Sequence, residues 1–291
     1  MANLKEIRNR ITSVTSTMQI TSAMKMVSAA KLKRAQDAVT QMRPYSEKLQ
    51  DILKNLSATL DMSENAYSEQ RELNKVLIIG ITSNRGLCGG FNNNIIKRVN
   101  TLAKEYENGN SSVKVVCLGK KIKDVLKKGD YYYSNDTIDP VEDIFSALSF
   151  ENTATIAQNL MDLFSSGEFD KVEIVYNRFV NAATQSIEVE QLLPILPPEE
   201  TSGANSDYLF EPTKEEIVTE LVPKSLKIQL FKSLLDSHAA EHGARMTAMH
   251  KATDNASELQ KDLKLSYNKA RQAAITNEIL EIVGGAEALN A

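Results

Sequence analysis

Glycine is missing from residues 1 to 79 of this 291-residue chain. Nine of its twelve glycines lie between Gly80 and Gly203, and from there to residue 283 only Gly243 occurs. A glycine costs about 1 kcal/mol in a helix interior, so both flanks are composed to stay helical. Apolar spacing agrees. One series runs Leu4, Ile11, Met18, Lys25, Leu32, Val39, Ser46, Leu53, Leu60 and a second runs Ile7, Val14, Thr21, Ser28, Ala35, Met42, Leu49, Leu56. Thirteen of these 17 positions are apolar, and the 3,4 alternation never slips, which is a coiled-coil seam. Pro44 interrupts it without shifting the register, so a kink or local repair is expected there rather than an end.

The C-terminal flank repeats the pattern from Ile217 through Ile228, Leu235, Met249, Ala256 and Leu263 to Leu280, with 13 apolar positions of 19. Pro212 suits its start and Pro223 a kink or second start, while Gly284 and Gly285 suit a C-terminal stop. At 1.5 Å per residue each flank makes a helix roughly 90 Å long. A compact globule of this chain length has a radius of gyration of about 19 Å. Each helix is therefore expected to project from any globular body and to be covered by the other, running antiparallel. The expected segments are residues 1–62 and 212–286 for the two helices, 74–195 for a head and 196–211 for a linker.

The head reads as α/β. Lys75 to Ile81 (KVLIIGI) is a β-branched strand that ends in the turn TSNRGLCGGFN, with a helix to about Tyr106 after it. Val113 to Gly119, Tyr131 to Tyr133, Lys171 to Val180 and Gln185 to Leu193 are further strands, with helices at Lys120 to Lys128 and near Asn152 to Phe164. This alternation predicts a Rossmann-like, mostly parallel sheet covered on both faces.

Several motifs invite chemistry. GLCGG occupies the position of a phosphate-binding turn, but it is neither GxGxxG nor GxxxxGK[ST], and a tight βα turn is the better reading. Cys88 stands near a helix N-terminus, where thiol pKa values fall. The three histidines all lie at or beyond residue 238, so a Cys–His pair would need the far helix to fold back. His238-Ala-Ala-Glu241-His242 spells the H-x-x-E-H string of inverted zincins, yet both histidines fall on the seam, where a polar break is the simpler account. Met18, Met24, Met26, Met246 and Met249 read as adaptable packing between helices. No cofactor, metal or catalytic group is assigned.

Composition excludes some classes and charge suggests a partner. No apolar run approaches the 18 or so residues of a membrane helix. Two cysteines make no disulfide framework, and the start MANLKEIRNRI lacks a secretory h-region, so an intracellular setting is expected. Net charge is -4, but residues 1 to 36 carry seven Lys or Arg against Glu6 alone, leaving the other 255 residues at -10. A basic, Ser/Thr-rich start also suits a transit peptide, but its heptad register continues to residue 60. The basic arm points to an acidic protein surface rather than to nucleic acid, for which no motif appears.

Three blocks resemble the γ subunit of F-type ATP synthase: Ile7 to Gln36 (IRNRITSVTSTMQITSAMKMVSAAKLKRAQ), Gly86 to Asn92 (GLCGGFN), and Glu241 to Leu259 with Tyr267 to Leu289. The likeness runs from end to end in order. Asn84 departs from the Asp usual before Arg85, and the insertion with a regulatory cysteine pair is missing. The resemblance implies a central rotor stalk inside a ring of three α and three β subunits, with the head and an ε subunit on a membrane c-ring. Proton flow would turn the shaft and drive the β subunits through their states. It further implies a chain that binds no nucleotide and is no enzyme alone, peripheral at the cytoplasmic face of a bacterial inner membrane. Arg271 and Gln272 match a pair that contacts a β-subunit catch loop, Met24 and Lys25 lie beside the acidic β lever, and Arg85 is a head-turn contact. Lys31, Lys33 and Arg34 extend the β-facing set through local charge. Two rival readings are a nucleotide-binding α/β enzyme and a coiled-coil nucleic-acid adaptor.

Overall fold

A computed structural model describes residues 4–57, 66–135, 144–145, 148–195 and 214–290. Ten elements follow one another: α1 (Leu4–Ser57), β1 (Lys75–Ile81), α2 (Phe91–Asn108), β2 (Ser112–Leu118), α3 (Lys120–Leu126), β3 (Tyr132–Tyr133), α4 (Phe150–Ser165), β4 (Lys171–Phe179), β5 (Gln185–Leu193) and α5 (Lys214–Asn290). They form two compact units, one of Met1–Ser28 with Met246–Ala291 and one of Ala29–Arg245. The expected linker at 196–211, the outer end of the first helix at 58–62 and the start at Pro212 lie outside the described residues.

In the first unit α1 and α5 run antiparallel. The Arg8 guanidinium donates to the Tyr267 hydroxyl at 2.8 Å, Gln260 Nε2 to Thr15 Oγ1 at 2.5 Å, and the Thr253 hydroxyl to Thr21 Oγ1 at 2.9 Å. Partner 8 meets 267, 15 meets 260 and 21 meets 253, so the register holds to within one residue over this stretch. Polar rungs spaced six or seven residues apart fix that register, because a one-residue slide would turn each of them away from its partner by about 100°. Every described side chain of the first seam is buried or half-buried, from Leu4 to Leu49.

The second seam departs from its expectation. It is buried at Met249 and Ala256, but Leu259 is 49% and Leu280 62% exposed, and every residue from Arg271 to Ala286 is exposed. In the observed register Leu4 stands opposite Arg271, so the apolar periodicity continues past the described part of α1. Gly284 and Gly285 do not stop α5, which continues to Asn290. A glycine stop needs a left-handed residue, and the glycines with positive φ among the described residues are Gly89, Gly119 and Gly167. Pro223 lies inside α5, so it does not open a second helix, and Pro44 lies inside α1.

The second unit is built on a five-stranded sheet in the order β3-β2-β1-β4-β5. β1 pairs in parallel with β2 and β4, β2 in parallel with β3, and β5 is antiparallel to β4. Alternate side chains feed two cores. Leu77, Ile79, Ile81, Ile174 and Tyr176 face α4, and Val76, Ile78, Val115 and Val175 face α2 and α3. The first core also takes Val222, Leu226, Leu230 and Leu234 from α5. The N-terminal part of α5 is thus a layer of the sheet domain as well as an arm. Two apolar stripes share this stretch of helix, the heptad seam and a second one in four-residue steps.

Candidate functional site

Side chains of the turn after β1 and of the first turn of α2 bond backbone amides at the ends of β1 and β2. Ser83 N donates to Asn92 Oδ1 at 2.9 Å, Lys120 N to Asn84 Oδ1 at 3.0 Å and Ile122 N to Thr82 Oγ1 at 3.1 Å. The Ser83 hydroxyl donates to the Arg85 carbonyl at 2.6 Å. Three backbone amides at the carboxyl ends of the parallel strands β1 and β2 are thus held by side chains of the chain. Leu87 completes the turn at φ 63°, a left-handed conformation for a branched residue, with its side chain 65% exposed.

Arg245 of α5 reads the same turn from the other side. Its Nη2 donates to the Arg85 carbonyl at 3.1 Å and to that of Gly86 at 3.4 Å, and its Nη1 pairs with Glu241 Oε1 at 2.5 Å. Arg245 Nη1 also faces His242 Nδ1 at 3.4 Å, and His242 Nε2 lies 3.1 Å from His238 Nε2. A guanidinium only donates, so His242 Nδ1 accepts; His242 then carries its proton on Nε2 and donates to His238. Burial first, then the Lys31 and Arg245 charges, pushes His238 down to about 4. Burial, His238 and the same two cations push His242 down to about 3. Burial raises the Glu241 carboxyl, with Arg245 pulling against it.

This geometry disposes of the metal string. Glu241 is committed to Arg245, and no cluster of three metal-ligating side chains occurs among the described residues. Cys88 is buried beside Ser83 and Asn92, and burial raises its thiol rather than lowering it. Burial likewise pushes Cys117 up to about 12.

The candidate contact residues divide between the two units. In the first unit Arg271 and Gln272 are exposed, the Gln272 carbonyl accepting from the Thr276 hydroxyl at 2.9 Å, and Met24 and Lys25 are half-buried. In the second, Lys31, Lys33, Arg34 and Arg85 are exposed, and Lys33 pairs with Asp37 at 2.8 Å. Sequence reasoning missed Arg245 and Gly243 as site residues. Two signals were available: the Glu241/Arg245 spacing of one helical turn, and the solitary glycine of the second arm.

A family model described as ATP synthase matches residues 3–289. The chain is 63% identical to the ATP synthase γ chain of Flavobacterium johnsoniae over 292 residues, covering 100% of both. It is 54% identical to that of Cytophaga hutchinsonii over 298 residues, again covering 100% of both. Among solved structures, a chain of the Euglena gracilis mitochondrial ATP synthase (OSCP/F1/c-ring, rotational state 3) superposes with a TM-score of 0.67, covering 98% of this chain and 94% of that one at 24% identity. Long terminal helices about a doubly wound sheet are thus a fold found in ATP synthases. The chain belongs to the ATP synthase γ-chain family.

Proposed function

We propose that this chain is the central rotor stalk of a proton-translocating ATP synthase, carrying rotation of a membrane c-ring to conformational changes at catalytic β subunits. The observation that carries the reading is the apolar helix end left open in a chain that matches γ chains over its whole length. Ile275, Ile279, Ile282 and Val283 are 44%, 54%, 66% and 54% exposed. On the partner helix Ile20, Met26 and Val27 are 60%, 64% and 58% exposed. Apolar side chains at this density call for enclosure by other subunits. A surface with few strong pairs can slide past its surroundings, and a few charged contacts can mark dwell angles.

In this role the chain catalyses nothing itself and takes no cofactor. A nucleotide enzyme built on this sheet would use the end of β1, where Ser83 N is bonded to Asn92 and Arg245 holds the Arg85 and Gly86 carbonyls. The partners are a ring of three α and three β subunits, the ε subunit and the c-ring, at the cytoplasmic face of a bacterial inner membrane. Attachment in this role is peripheral, through the partners; no helix among the described residues is long and apolar enough to cross a membrane. Arg271, Gln272, Met24, Lys25, Lys31, Lys33 and Arg34 are assigned to β-subunit contact, and Arg85 to contact from the head turn. Arg271→Ala with Gln272→Ala is expected to lower ATP synthesis by assembled complexes while the subunit stays folded. Unchanged synthesis at normal assembly refutes the pair, and purification from membranes without a ring refutes the role.

A further inference from the structure

A doubly wound sheet takes its ligand in the crevice outside the carboxyl ends of the strands, where the winding reverses. Here that point lies between β1 and β4, since β1 leads through α2 to β2 on one side and β4 lies on the other. The crevice holds part of α5. On the β1 side Ala240 packs against Cys88 and Phe91, and Arg245 holds the Arg85 and Gly86 carbonyls. On the β4 side the helix backbone at Gly243 lies against the turn after the strand. A Cβ at Gly243 would stand 3.3 Å from Ala182 Cα, from the Ala182 carbonyl oxygen and from Phe179 Cε2. The two jaws are joined, because Asn177 of β4 donates through Nδ2 to the Phe91 carbonyl at 3.2 Å.

We propose that this crevice is a clamp that fastens the sheet to α5 so that the two turn as one body, with Gly243 and Arg245 as its positioning residues. The proposal rests on the rotor reading above. The grip is specific to one register and one rotation of the helix. A slide of one residue turns the helix by about 100°, which takes Arg245 off both carbonyls and brings a side chain against Ala182 in place of Gly243. Two of the three atoms crowded at Gly243 belong to backbone, so the jaw cannot yield by changing a rotamer. Polar bonds on one side and close backbone contact on the other together oppose both sliding and twisting. The place of a nucleotide in this fold is thus taken by the part that must be driven.

The test uses the assembled synthase in inverted membrane vesicles, carrying the full-length chain with Gly243→Leu or Arg245→Ala. ATP-driven proton uptake is measured per ATP hydrolysed, at equal assembly. The expected result is a fall in that ratio of about two-fold or more, with hydrolysis continuing. A parental ratio in both assembled variants overturns the clamp. If Gly243→Leu does not assemble, Gly243→Ala takes its place alongside Arg245→Ala under the same criterion, and parental ratios in that pair overturn the clamp as well. The parent complex separates the two levels: no ATP-driven uptake by the parent removes the rotor reading itself, whereas uptake by the parent with unchanged variants removes only the clamp.

Discussion

Arg245→Ala should destabilise the sheet domain strongly, because it removes a buried cation from a buried carboxylate. Arg245 and Glu241 are 7% and 8% exposed, and their side chains meet at 2.5 Å. Removing the cation strands a carboxylate that burial already disfavours in its charged form. Breaking a buried pair from one side costs about 3–5 kcal/mol. The Arg85 and Gly86 carbonyls lose their charged donor in the same change. Glu241→Leu with Arg245→Met removes both charges and should recover most of the loss, because an apolar replacement of both partners leaves nothing stranded. Urea unfolding of the full chain, followed by the exchange protection of β1 and β4 amides, reads both values. A loss under about 1 kcal/mol for Arg245→Ala, or a double variant no better than the single one, refutes the reasoning.

Further outcomes follow from the same packing. His238 and His242 titrate near 4 and 3 in the fold and near 6.5 when unfolded, so the folded chain binds fewer protons between those limits. Their contribution is complete above pH 6.5 and is lost as pH falls from there to about 3; His238→Gln with His242→Gln should flatten that limb in stability measured against pH. Leu230, fully buried between α5 and the sheet, should cost about 2–5 kcal/mol as Leu230→Ala, whereas Leu280→Ala at an exposed position should stay within about 0.5 kcal/mol by the same unfolding assay. Cys88 should resist thiol reagents in the native chain and react on unfolding; rapid native labelling contradicts its burial.

Local patterns carried most of the architecture. The boundaries of β1 and β5 could be read directly, because β-branched runs ended at turn residues. The α1 seam followed from heptads alone. What escaped was tertiary. The apolar spacing of α5 runs on to Leu280 although Leu4 of α1 already stands opposite Arg271, so periodicity alone does not show which of its positions are covered. Gly284 and Gly285 resemble a stop only when the backbone angle is unknown. Val222, Leu226, Leu230 and Leu234 belong to a second stripe whose partner sheet is distant in sequence. The polar string His238, Glu241, His242, Arg245 looked like a break in a seam, and only the position of the Gly86 carbonyl reveals that Arg245 holds the turn after β1.

The central claim is mechanical, so a direct view of motion tests it best. A bead attached to the head of this chain, in complexes whose α and β ring is fixed to a surface, should turn in one direction on addition of ATP and halt on its removal. Correctly assembled complexes that hydrolyse ATP while the bead only fluctuates in place would contradict the account.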